Sequence, residues 1–181
     1  MASVAYHLPI TFVEHYTESY FRIRVERPEE FRFDSGQFIM IGLNIDGKDI
    51  MRAYSLANAM WDEELEFYSI IVQDGALTSQ LQHVKVGDKL QMSAKAVGTL
   101  TLSTLSPGGK RLFMLSTGTG VAPFASIIRD EETYANYDEV YLTQTCRYKK
   151  DLQYAIARVQ DAKECPLVGD EASKKLRLYS S

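Results

Sequence analysis

Four adjacent residues, Arg52-Ala53-Tyr54-Ser55, bring a guanidinium, a methyl, a phenol ring and a hydroxyl together. The guanidinium is a planar fork of donors suited to phosphate. The phenol ring can lie against a flat aromatic ligand, and the Ser55 hydroxyl can hydrogen-bond a ring heteroatom. Side chains alternate faces along a strand, so Arg52 and Tyr54 are expected on one face. A ligand with a pyrophosphate at one end and a flat ring at the other would meet both. The competing reading is a polar strand end on an ordinary barrel, and on the tetrapeptide alone that reading wins, so the case needs the rest of the chain. A second stretch, Gly118-Thr119-Gly120-Val121-Ala122-Pro123, follows an apolar run. Its glycines let backbone pass close to a ligand, and a helix behind them would turn unpaired N–H groups toward phosphate. It lacks the third glycine of the full dinucleotide-binding pattern, and a tight strand-to-helix turn is the alternative.

The elements that must position these residues fall into two kinds. Residues 10–16, 20–27, 37–43, 51–56, 65–72 and 89–94 read as strands, with a short helix over 77–84. In the second strand Phe21, Ile23 and Val25 alternate with Arg22, Arg24 and Glu26, the pattern of a strand buried on one face only. Asp46-Gly47 is a hairpin signal. Six short strands at these intervals predict a small antiparallel barrel. After Ser106-Pro107-Gly108-Gly109 the pattern changes. Arg111–Ser116 is an almost unbroken apolar strand, Pro123–Tyr134 a helix, Glu139–Thr145 a strand, Asp151–Gln160 a helix and Leu176–Tyr179 a third strand. That is β-α-β-α-β, half of a doubly wound parallel sheet, which needs helices on both faces. We therefore expect a barrel domain over 1–106 and an α/β nucleotide-binding domain, C-terminally incomplete, over 107–181.

Composition narrows the function classes. The chain has 181 residues, 45% hydrophobic and 24% charged, which is the balance of a globular protein. A net charge of -4 gives no bulk attraction to nucleic acid. No apolar run approaches the roughly 20 residues that span a bilayer, and residues 1–10 do not read as a secretory signal. Cys146 and Cys165 form no CxxC, and His7, His15 and His83 are scattered, so neither a disulfide framework nor a metal site is expected. A reducing cytoplasm and a monomer are the expectations.

The segments Arg52-Ala53-Tyr54-Ser55, Phe67-Tyr68-Ser69-Ile70, Gly75-Ala76-Leu77-Thr78-Ser79, Gly98-Thr99-Leu100, Gly118 to Phe124 and Thr145-Cys146-Arg147 occur in a set order and spacing. In this the chain resembles the bacterial ferredoxin–NADP(+) reductases over nearly its whole length. The resemblance implies an N-terminal FAD barrel and a C-terminal NADP domain. It implies that Arg52 holds the FAD pyrophosphate, that Tyr54 stacks on the isoalloxazine and that Ser55 hydrogen-bonds near its N5, making Tyr54 and Ser55 the catalytic pair. Ala53 joins them in the cofactor-binding stretch. Phe67, Tyr68, Ser69 and Ile70 with Ala76, Leu77 and Thr78 would complete the FAD cradle, though Phe67 and Tyr68 read equally well as barrel core. Thr119 would touch the flavin from the second domain, and Cys146 and Arg147 would line the NADP side. Read alone, Cys146 is a small packing residue and Arg147 a solvated strand cap.

The activity implied is hydride transfer from NADPH to flavin N5, followed by single electrons to ferredoxin or flavodoxin. Lys85, Lys89, Lys95, Lys110 and Arg111 are candidates for a basic docking face, against the alternative of scattered surface charges. The family continues past the position of Ser181, with arginines for the NADP 2′-phosphate and a C-terminal flavin cover. A fragment or a shortened protein is therefore expected. The alternative function is an FAD-binding module without full reductase turnover. A related reductase with another acceptor is a third reading.

Overall fold

The computed structural model describes residues 3–105 and 109–181. Six strands make one antiparallel sheet: β1 (Tyr6–His15), β2 (Tyr20–Glu26), β3 (Phe38–Ile45), β4 (Lys48–Ser55), β5 (Glu64–Ile70) and β6 (Lys89–Met92). Their order is β4-β3-β6-β1-β2-β5. The β1–β2 turn is held by Thr17, whose Oγ1 accepts from the backbone N–H of Ser19 and Tyr20 at 3.2 and 3.3 Å. Between β3 and β4, Asp46 and Gly47 both take positive φ, 51° and 77°, which suits a two-residue hairpin.

The sheet curls into a half-barrel around Phe21, Ile23, Val25, Ile39, Ile41, Leu65, Phe67, Leu90 and Met92, none of them exposed. No backbone ladder joins the outer strands β4 and β5 to each other. They meet through Tyr54 Oη and Ser69 Oγ, 2.9 Å apart, and lower down through Ala57 N–H donating to the Glu66 carbonyl at 3.0 Å. The one-sided burial expected of β2 is corrected here. Arg22, on its outer face, is only 9% exposed, because that face is covered by the second half of the chain.

The second sheet is parallel, in the order β7-β8-β9, with β7 (Arg111–Thr117), β8 (Glu139–Thr145) and β9 (Leu176–Ser180). The 106–108 part of the expected boundary lies outside the described residues. The single helix expected over 123–134 is two, α2 (Ala122–Ile127) and α3 (Glu131–Asn136). Asp130 causes the break: it is extended, and its Oδ1 accepts from Glu132 N–H at 3.0 Å, capping a new helix with acids in its first turn. The helix after β8, α4 (Gln153–Glu164), runs four residues beyond its expected end at Gln160. A further helix, α5 (Gly169–Lys175), has no counterpart in the sequence reading.

Helices α2 and α4 cover one face of this sheet, where Leu112, Met114, Val140, Leu142 and Leu176 pack with Val121, Ala125, Tyr154 and Val159. On the other face Phe113 and Leu115 are 59% and 70% exposed, and Phe113 stacks on Tyr141 at 4.8 Å. The expected cover on both faces is absent among the described residues. The core beneath α2 and α4 also takes in Tyr20, Ala57 and Tyr68 from the half-barrel, so the two layers share one apolar interior.

Gly36 shows how tightly the loops around the half-barrel are packed. Its φ is +97°, and a Cβ there would sit 1.8 Å from the Leu100 carbonyl oxygen. Gly36→Ala is expected to cost at least about 2 kcal/mol, from left-handed strain and backbone displacement together. Urea unfolding should show the midpoint falling; an unchanged midpoint would contradict the geometry.

Candidate functional site

The ends of β4 and β5 leave a slot of 360 Å³ between them. Arg52, Ala53, Tyr54 and Ser55 line it from β4, and Tyr68, Ser69 and Ile70 from β5. Thr119, Gly120 and Ala122 close it from the turn that follows β7. Arg52 and Tyr54 sit opposite Ile41 and Ile39 in the β3–β4 register, so the two share a face, as alternation requires. Arg52 is exposed, with Nη1 donating to the Met51 carbonyl at 2.8 Å. Tyr54 is half-buried, and its phenol pKa is pushed up by burial, against the lowering effect of the Ser69 hydrogen bond. The strand edges facing each other across the slot carry no mutual ladder, so their backbone groups are available to a flat, polar-edged ring.

A second cleft of 560 Å³ adjoins the first and shares Ile70 and Thr119 with it. Cys146 and Arg147 line it, with Tyr20, Thr117, Gly118 and Thr145. Gly118 has φ +51°, and a Cβ there would lie 3.1 Å from Tyr20 Oη. Gln144 Nε2 fixes the turn by donating to the Gly118 carbonyl at 2.9 Å. Thr119 thus forms the wall between the clefts.

Not every expected site residue faces these clefts. Phe67 is fully buried in the half-barrel core, edge-on to Tyr54 at 6.4 Å between centroids. Leu77 is core as well. Ala76 is exposed just before α1 (Thr78–Leu81), and Thr78 Oγ1 is taken up by Val72, bonding its N–H and carbonyl at 3.2 and 3.1 Å. None of these four borders either cleft. Tyr68 combines both readings: it is 3% exposed, borders the slot, and lies in the shared apolar interior. Gly120 and Ala122, from the glycine-containing turn, line the slot, and Tyr20 lines the second cleft without any expectation attached to it. Tyr20 opens β2, and its ring meets Tyr68 and Gly118, both far along the chain, so no local signal marks it.

The donor set fits a flavin dinucleotide: a free guanidinium at one end, an aromatic ring beside the slot, hydroxyls at Ser55 and Ser69, and open strand edges. A family profile described as an oxidoreductase FAD-binding domain matches residues 10–100. The chain belongs to that family. It is 52% identical over 171 residues to a flavodoxin/ferredoxin–NADP reductase of Rhodobacter capsulatus, covering 94% of this chain and 63% of that one. It is 47% identical over 167 residues to a ferredoxin–NADP reductase of Pseudomonas aeruginosa, covering 92% and 64%. The chain therefore spans under two thirds of the length of these relatives. Among solved structures, a ferredoxin NADP+ reductase from Neisseria gonorrhoeae with bound FAD and NADP matches with a TM-score of 0.83 at 27% identity, over 97% of this chain and 67% of that one. The half-barrel plus parallel sheet is the ferredoxin reductase fold.

The pKa of the Cys146 thiol is pushed up, chiefly by burial, with the Gly118 backbone hydrogen bond opposing. The thiol is therefore neutral at pH 7, and only thiolate is nucleophilic. Alkylation of Cys146 by iodoacetamide, followed by peptide mass spectrometry, should be slower at pH 7 than that of free glutathione. Its rate should still be climbing above pH 9. A fast reaction at neutral pH would mean an activated cysteine.

Proposed function

We propose that this chain holds FAD in the β4–β5 slot and serves an FAD-dependent oxidoreductase that takes electrons from NADPH and passes them to ferredoxin or flavodoxin. The observation that carries the reading is the convergence of Arg52, Tyr54, Ser55 and Thr119 on one slot from two separate sheets. When bound, FAD supplies hydride acceptance and one-electron release, chemistry that no side chain provides. In this reading Arg52 binds the pyrophosphate, Tyr54 orients the ring, and Ser55 and Ser69 offer hydrogen bonds at its edge. Thr119 limits water at the junction of the clefts. Cys146 and Arg147 receive the nicotinamide side. No general base is required. Residues 1–106 would form the flavin unit and 107–181 the nicotinamide unit. Of the bases considered for docking an acidic carrier, Arg111 is already engaged by Glu139 at 2.5 Å, which leaves the lysines. We expect a monomer working in the cytoplasm.

A second reading, an FAD module without full turnover, is favoured by the three-strand parallel sheet with Phe113 and Leu115 uncovered. An anaerobic visible spectrum of the FAD-loaded chain, before and after NADPH, separates the two. Prompt bleaching supports the reductase. Bleaching by dithionite but not by NADPH supports the module. Arg52→Met should weaken FAD binding by about 2 kcal/mol, roughly 30-fold in dissociation constant, for the loss of charge-assisted bonds. Fluorescence titration measures this, and unchanged affinity would remove Arg52 from the pyrophosphate.

A further inference from the structure

Behind the slot, on the outer face of the half-barrel, one carboxylate gathers four donors. Glu66 on β5 is 2% exposed. Its Oε2 accepts from Arg22 Nη1 at 2.9 Å and Arg24 Nε at 2.8 Å. Its Oε1 accepts from Tyr154 Oη at 2.9 Å and Arg158 Nη1 at 3.2 Å. The first two donors belong to β2, in the same sheet as Glu66. The last two stand one turn apart on α4, in the other half of the chain, so one face of that helix is tied to β5.

The tie leads directly to the clefts. The Tyr154 ring is stacked on Tyr68 at 3.8 Å between centroids and 5° between planes. Tyr68 stacks in turn on Tyr20 at 5.7 Å and 18°. Tyr20 Oη stands against Gly118, which begins the turn carrying Thr119. Tyr68 Oη is buried and has no hydrogen-bond partner among the described residues, so ring packing, with Tyr16 edge-on at 6.1 Å beside the stack, sets that ring's position. The polar anchor of the column is at its far end, on Glu66. Close-packed rings transmit displacement rather than absorb it.

We propose that Glu66 is a positioning residue: through Tyr154 and the tyrosine column it sets where the Gly118–Ala122 turn stands against β5, and hence the width of the slot. The proposal deepens the FAD reading and rests on it for the slot's occupant. Glu66 acts at a distance and touches no cofactor in this account. The alternative is a purely structural ion cluster that stabilises the whole chain evenly.

Hydrogen exchange with mass spectrometry on the full chain, with and without FAD, distinguishes them. Tyr154→Phe keeps the ring and the stack but removes the bond to Glu66, and it is the variant expected to fold. Glu66→Gln leaves three guanidiniums around a neutral group and is the harsher test. In Tyr154→Phe, amides of 68–70 and 118–122 should exchange about tenfold faster, the loss of one bond to a charged group. Amides of the β3–β4 hairpin should be unchanged. In the FAD-loaded protein the visible circular dichroism of the flavin should shift in both variants. A uniform rise across the chain, a rise confined to α4, or no change at 118–122 would each overturn the proposal. If the parent chain binds no FAD, the functional reading fails, while the exchange pattern still decides the role of Glu66.

Discussion

The buried carboxylate of Glu66 is the constraint on which the arrangement of the two sheets depends. Burial alone would raise its pKa, but the guanidiniums of Arg158, Arg22 and Arg24 outweigh burial and hold it below the ordinary carboxylate range. The charges balance outward: Arg22 Nε also meets Glu14 at 2.8 Å, and Arg158 Nη2 meets Asp161 at 2.9 Å. A buried ion pair need not add stability, since desolvation offsets much of the attraction. Its value lies in direction. An apolar interface tolerates sliding, whereas four donors converging on two oxygens do not. A second clasp works the same way: Arg129, in the turn between α2 and α3, grips Asp62 with two bonds, 2.6 and 2.9 Å, while Asp62 Oδ2 also accepts from Ala59 N–H.

With the halves fixed, the missing ladder between β4 and β5 becomes a usable opening. A fully closed barrel would have satisfied the edge groups of Arg52 to Ser55 internally. Here β4 and β5 share no ladder, the Tyr54–Ser69 contact bridges them by side chains, and the turn after β7 closes over the gap. The site is thus a product of incomplete closure in one sheet and close docking of the other.

What the sequence made legible follows from range. Alternation marked Phe21, Ile23 and Val25 as core because that signal is local. Asp46-Gly47 announced its hairpin for the same reason, whereas Arg52-Ala53-Tyr54-Ser55 suggested a ligand shape but needed the rest of the chain to outweigh a polar strand end. The break between α2 and α3 was readable in principle, since Asp130-Glu131-Glu132 is a cap followed by acids, but the apolar spacing around it resembles one continuous helix. Arg22 and Arg24 looked like a solvent face because nothing local reveals that α4 lies over them. Tyr20 was missed for that reason too, its partners being Tyr68 and Gly118. Phe67 and Leu77 were grouped with the site by the family resemblance of their segments, yet strand alternation and the start of α1 turn their side chains inward, as the core reading of Phe67 had it.

The division of labour between apolar and polar contacts explains why the chain can be acidic overall and still depend on arginines. The net charge of -4 is that of the whole chain, most of whose charged side chains face solvent, where single pairs contribute little. Between the sheets, Arg22, Arg24 and Arg158 gather on Glu66, which is almost fully buried and so holds them strongly, while Arg129 pairs with Asp62 in a cleft that stays partly open to solvent. Arg52 stands apart from this set, exposed and turned to the slot. Its guanidinium is not consumed by the internal ion network, and that spare charge is what an anionic ligand would meet first.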